Sequence, residues 1–140
     1  MAQVGLLEDN ARIARLCATM LQYAGHEVII YEHPRACLDE LLEEKASTQV
    51  LTSKAKILPL DVLILDLNLP DISGLEVVRM LRTHQRTRSL PLIFCTAACS
   101  PEVNEALRLV PDASFLGKPF TLQDLAGVVS HAVTPKATVQ

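Results

Sequence analysis

Five residues stand out because their types could together move a phosphoryl group: Glu8, Asp9, Asp66, Thr96 and Lys118. Three carboxylates held close together raise one another's pKa unless a cation is bound. Carboxylates joined by a backbone carbonyl suit a hard divalent ion, and Mg²⁺ commonly pairs a few carboxylates with phosphate oxygens and water. Thr96 adds a hydroxyl donor and Lys118 a point positive charge. Metal and ammonium on the equatorial oxygens, with a nucleophile in line, are the parts phosphoryl transfer needs. Asp66 is the carboxylate placed directly on a central strand end, and an aspartate can serve as a covalent nucleophile.

These residues act together only if the fold gathers them. Short apolar runs at Val4–Leu7, Val28–Tyr31, Val62–Leu65 and Leu92–Cys95 suit strands buried on both faces, as in a parallel sheet. A weaker fifth strand is expected at Ala113–Leu116. Between the runs lie helical stripes: Ile13, Leu16, Cys17, Met20, Leu21 and Ala24; Val103, Ala106, Leu107 and Val110; Leu122, Leu125, Ala126 and Val129. A second helix starts near Pro34 with Leu38, Leu41 and Leu42. Gly25 reads as the residue after a helix end, Ser73 with Glu76 as a capping box, Ser100-Pro101 as a cap with a first-turn proline, and Thr121 as a cap. The alternation predicts an α/β fold, a doubly wound five-stranded parallel sheet of flavodoxin-like (βα)5 form with strand order 2-1-3-4-5. Ligands of such sheets bind outside the carboxyl ends of the strands. That is where Glu8-Asp9, Asp66, Thr96 and Lys118 would meet.

Composition sets the bounds. A chain of 140 residues, 49% hydrophobic and 21% charged, suits one domain with a continuous core. Its mean hydropathy of +0.25 argues against disorder. The net charge of −3 gives no support for direct nucleic-acid binding, which rests on clustered Lys and Arg. No apolar run reaches membrane-spanning length and the N-terminus does not read as a signal peptide, so no membrane association and a cytoplasmic location are expected. Cys17, Cys37, Cys95 and Cys99 each sit among apolar neighbours, as core thiols would. Cys95 and Cys99 lack nearby His ligands, which argues against zinc.

The strand-end text resembles the response-regulator receiver domain, the phosphoacceptor module of two-component signalling. The matching segments are Leu7-Glu8-Asp9-Asn10, Asp66-Leu67-Asn68-Leu69-Pro70-Asp71 leading to Ser73-Gly74, Thr96-Ala97, and Lys118-Pro119-Phe120. The resemblance spans about residues 2 to 133, with 134–140 a tail or the start of a linker, and four motifs in order are far more specific than one. It implies that Asp66 accepts the phosphoryl group from a histidine kinase or phosphotransfer protein. Asp9, Asp66 and the Asn68 carbonyl would ligate Mg²⁺, with Glu8 acting through water. Thr96 would be the switch hydroxyl, Lys118 the phosphoryl-pairing lysine in front of a cis Pro119, and Phe115 the switch aromatic. Asn68 and Ala98 hold the variable positions that tune phosphoryl lifetime in relatives. A downstream protein or output domain would read the switched face. The domain would be no enzyme beyond its own phosphorylation and dephosphorylation.

Other readings stay open at this level. The chain could be a degenerate receiver that binds partners without phosphorylation, or a phosphohydrolase with Asp66 as nucleophile; the second carboxylate such enzymes carry two residues on is here Asn68. Asp9-Asn10 could simply cap the first helix. His33 and His131 read as solvated, and Arg79, Arg82, Arg86 and Arg88 as a solvated helix face. Three departures from the family pattern stand out. The interval from Asp9 to Asp66 is longer by about a dozen residues, absorbed by Lys45–Leu60. Val110-Pro111-Asp112-Ala113 replaces a glycine-containing turn. The last helix lacks the arginine run by which winged-helix regulators dimerise, which leaves a weak homodimer as the expected self-association.

Overall fold

The computed structural model describes residues 2–42, 59–69, 71–97 and 101–133. Strands β1 (Gln3–Leu7), β2 (Glu27–Tyr31), β3 (Val62–Leu65), β4 (Leu92–Ala97) and β5 (Ser114–Lys118) alternate with helices α1 (Ala11–Tyr23), α2 (Pro34–Leu42), α3 (Gly74–Thr83), α4 (Pro101–Leu109) and α5 (Leu122–Val133). All neighbouring strands pair in parallel, in the order β2-β1-β3-β4-β5, as the apolar runs predict. The fifth strand lies one to two residues later than expected, so Lys118 ends it rather than following it.

Strand pleating sorts the core into two layers. Val4, Leu6, Val62, Ile64, Ile93, Cys95 and Leu116 pack with residues of α1 and α5 on one face. Leu7, Tyr31, Leu63, Leu65, Leu92 and Phe94 pack with residues of α2, α3 and α4 on the other. The α1 stripe is rotated from the expected one. Leu16 is 55% exposed, and the buried set is Ala14, Cys17, Ala18 and Leu21. That set follows the i, i+3, i+4 spacing of a single helical face, whereas Leu16 lies about 100° round the axis from Cys17.

The helix ends show the expected chemistry. Asn10, not Asp9, caps α1, its side-chain oxygen accepting the Ile13 N–H. Ser73 Oγ accepts the Glu76 N–H, while Glu76 pairs with Arg79. Thr121 and Asp124 bond reciprocally: the Asp124 N–H donates to Thr121 Oγ1 and the Thr121 N–H to Asp124 Oδ2. Gly25 has φ +97, the left-handed conformation that suits a residue without Cβ after a helix. The turn before β5 closes without glycine through Ala113 N–H to Val110 O at 3.0 Å. The expected Ser100 cap, Ala98, Cys99, most of the 45–60 excursion and the 134–140 tail lie outside the described residues. Of that excursion Leu60 is described, and it is buried against Gly5.

Two readings of charged residues change. His33 is not without a partner: its Nε2 lies 2.7 Å from Asp71 Oδ2, and its Nδ1 accepts the Arg35 N–H. The arginine run is a solvated face only in part: Arg79 and Arg88 are exposed, Arg82 and Arg86 are half-buried. Arg82 donates to the carbonyls of Thr87 and Leu90, and Arg86 Nε to the Leu41 carbonyl, which ties the α3–β4 connection to the end of α2.

Candidate functional site

The parity that sorts the core also sorts the polar residues. Glu8 continues the series Val4-Leu6, Asp66 continues Val62-Ile64, and Lys118 continues Leu116, so all three fall on the α1/α5 side of the sheet. Thr96 continues Leu92-Phe94 and falls on the opposite side, where Phe115 packs against the α2–α4 core. The ladder runs one residue past the strands: Glu8 N–H donates to Tyr31 O and Asp66 N–H to Leu7 O. This holds both carboxylates to the rim rather than on free loops.

At that rim Lys118 Nζ lies 2.8 Å from Asp66 Oδ2 and 3.1 Å from Glu8 Oε1. The second oxygen of Asp66 accepts the Asn68 N–H at 2.9 Å, and that of Glu8 accepts the Asn10 N–H at 3.3 Å. Glu8 and Asp66 are buried, whereas Asp9 and Asn68 are exposed at the mouth. Burial pushes the Glu8 carboxyl above its ordinary range; Lys118 pulls it back in part, and the neighbouring charge of Asp66 raises it. Burial alone would lower the Lys118 ammonium, but hydrogen bonds and charge from Asp66 and Glu8 outweigh this and raise it. Lys118 is therefore firmly cationic. The Lys118–Pro119 bond is cis.

Glu8, Asp9 and Asp66 each offer a carboxylate oxygen, and these atoms lie within 4.8 Å of one another. That spacing and an all-oxygen donor set fit a small hard cation such as Mg²⁺. Thr96 is fully buried, and its hydroxyl oxygen accepts a 2.8 Å hydrogen bond from Asn68 Nδ2. Phe115 is half-buried and pairs in register with Phe94. Glu8, Asp9, Asp66, Asn68, Thr96 and Lys118 thus stand at the carboxyl rim, with Phe115 on the strand leading to it. The Asn68–Thr96 and His33–Asp71 contacts were not visible in the sequence, because neither pair has a spacing signal.

Gly74 fixes the loop after Asp66. A Cβ there would run into Leu67 Cα and lie 2.8 Å from the Asp66 carbonyl oxygen, both main-chain atoms. Only glycine lets α3 start this close to the loop.

A doubly wound parallel sheet with three acids and a lysine gathered at its carboxyl rim defines a flavodoxin-like α/β domain whose rim offers an all-oxygen donor set beside a fixed cationic group. The chain belongs to the response regulator receiver domain family, whose sequence model matches residues 4–130. It is 38% identical over 128 residues to the transcriptional regulatory protein CreB of Escherichia coli, covering 90% of this chain and 48% of that protein. It is 33% identical over 121 residues to the transcriptional regulatory protein GltR of Pseudomonas aeruginosa, covering 86% and 44%. The chain thus spans just under half the length of these curated relatives. Among solved structures it resembles the chemotaxis response regulator CheY4 of Vibrio cholerae, with 27% identity, a TM-score of 0.72 and coverage of 94% and 98%. The receiver domain of the sensor histidine kinase PA1611 of Pseudomonas aeruginosa, described with a magnesium ion coordinated in its active site cleft, shares the fold with a TM-score of 0.75 at 20% identity and coverage of 94% and 97%.

Receiver domains are phosphoacceptor modules of two-component signalling rather than enzymes in the usual sense, and they interact with histidine kinases or phosphotransfer proteins. Among the described residues no helix is long and apolar enough to cross a membrane.

Proposed function

We propose that Asp66 is the phosphoacceptor of this receiver, that residues 2–133 form the receiver unit, and that residues 134–140 are a tail or the start of a linker. The observation that carries the assignment is the buried Asp66 carboxylate held between the Lys118 ammonium and the Asn68 N–H at the mouth of a three-acid cluster. An Asp66 oxygen attacks the phosphorus of a phosphohistidine on a kinase or phosphotransfer protein. The new P–O bond forms as the P–N bond breaks, and the imidazole leaves with the electron pair. Lys118, already within bonding distance of Asp66, meets the added negative charge. Glu8, Asp9, Asp66 and the carbonyl of Asn68 would hold Mg²⁺, which when bound neutralises charge on the phosphoryl oxygens.

Thr96 supplies a hydroxyl to the phosphoryl group. Its movement biases Phe115, so the signal crosses from the acid side of the sheet to the α4–β5–α5 surface read by a downstream protein or output domain. A cytoplasmic setting without direct nucleic-acid or membrane contact, and at most weak self-association, completes the reading. A phosphohydrolase would need a proton-transferring group two residues after Asp66, and the amide of Asn68 engages Thr96 instead. Incubation with Mg²⁺ and a small phosphoramidate donor, followed by intact mass measurement, should show one added phosphoryl group on the wild type and none on Asp66→Asn. Equal labelling of the two proteins would overturn the assignment.

A further inference from the structure

Resting on the reading of Asp66 as acceptor and Thr96 as its hydroxyl partner, we propose that Asn68 is a positioning residue whose carboxamide aims the Thr96 hydroxyl at the phosphoryl site. Thr96 is fully buried, and among the described residues its hydroxyl has one partner, the Asn68 Nδ2 at 2.8 Å. A hydroxyl carries one hydrogen and two lone pairs, and its hydrogen turns to suit its surroundings. Threonine is stiff at χ1, so the remaining freedom lies in rotation about the Cβ–Oγ bond. Donation from Asn68 occupies a lone pair and leaves the hydrogen unspent. It confines that hydrogen to directions away from the carboxamide, and it polarises the O–H bond toward better donation.

Asn68 is itself anchored to the acceptor, because its N–H donates to Asp66 Oδ1 at 2.9 Å. One residue therefore touches the nucleophile through its main chain and the hydroxyl through its side chain. Asp66 and Thr96 belong to opposite faces of the sheet, and Asn68 joins them around its rim.

The test is a double-mutant cycle with beryllofluoride and Mg²⁺, the fluoride complex standing in for a bound phosphoryl group. Half-saturation would be followed by amide NMR and folding checked by thermal melting. Asn68→Ala should weaken beryllofluoride binding by about two- to tenfold, the range of one net hydrogen bond. The same loss should appear in a Thr96→Ser background, which keeps the hydroxyl, and should vanish in Thr96→Val, which keeps the shape without it. An equal loss in Thr96→Val would show that Asn68 acts without Thr96 and overturn the proposal, as would no loss in any background. Absence of both beryllofluoride binding and phosphoryl labelling in the wild type would instead remove the acceptor assignment beneath it.

Discussion

Two partly buried cations hold the molecule together at different places, and their surroundings are opposite in kind. Lys118 meets side-chain carboxylates, those of Asp66 and Glu8. Arg82 meets main-chain carbonyls, those of Thr87 and Leu90. The titration directions follow: Lys118 is raised because two carboxylates outweigh its burial, whereas Arg82 is lowered by burial that the charge of Asp112 only partly offsets. Carbonyl acceptors are fixed to the chain and neutral, so Arg82 can do no more than fasten a loop. Carboxylate acceptors can exchange partners, accept a proton or take a covalent group. A cation paired with excess negative charge marks a place for chemistry, and a cation paired with backbone marks a place for structure.

Removing each cation should break this contrast most sharply. Lys118→Met should slow phosphoryl labelling by about a hundredfold, the order lost with one preorganised stabilising group. It should also cost about 3 kcal/mol at neutral pH without divalent cations, since two buried carboxylates lose their counter-charge. The Glu8 carboxyl, already above its ordinary value of 4.5, then favours the protonated folded state more strongly. The folded form binds that proton more readily than the unfolded one, so the variant should gain stability as pH falls from neutral toward that value. Denaturant titrations across this window would show the slope. Arg82→Met should cost about 2 kcal/mol, since the Leu90 carbonyl loses its donor while the Thr87 carbonyl keeps only the Leu90 N–H, with no such rise on acidification and no loss of labelling. Thr87→Val, which deletes a buried 2.6 Å bond to the Leu81 carbonyl, should cost about 1 kcal/mol in the same assay.

The thiols should respond least. Burial pushes Cys37 and Cys95 up to about 12 and Cys17 up to about 11, from an ordinary value of 9.0. Alkylation near pH 8, mapped by peptide mass, should reach these three only after unfolding. The proton each retains in the folded state helps stability fully below pH 9.0, and that contribution fades as pH rises through the folded values.

The sheet order and the rim residues were legible because hydrophobic runs mark parallel strands and residues at strand ends share one edge. Strand parity made even the division between the Glu8–Asp66–Lys118 side and the Thr96–Phe115 side implicit in the numbering. The rest depended on three-dimensional neighbours. Leu16 looked like core until Ala14 and Ala18 took the inward face of α1. Arg82 and Arg86 looked solvated because their acceptors are carbonyls, which leave no trace in composition. His33 lies 38 positions from Asp71, and no local pattern links them.

Gly74 also constrains how the loop after Asp66 can move. Its N–H donates to the Leu67 carbonyl, and its bare Cα sits against the Asp66–Leu67 main chain. That bond ties Leu67 to the first residue of α3, so the start of the loop and the start of the helix are held together. A loop start fastened in this way cannot swing away from α3 as a hinged arm. Further along, Asp71 is left-handed at φ 55, and His33 grips that residue from across the rim. On the proposed reading of Asp66 as acceptor, strain from an added phosphoryl group would therefore be expressed around Asn68 and Asp71 before it could displace α3.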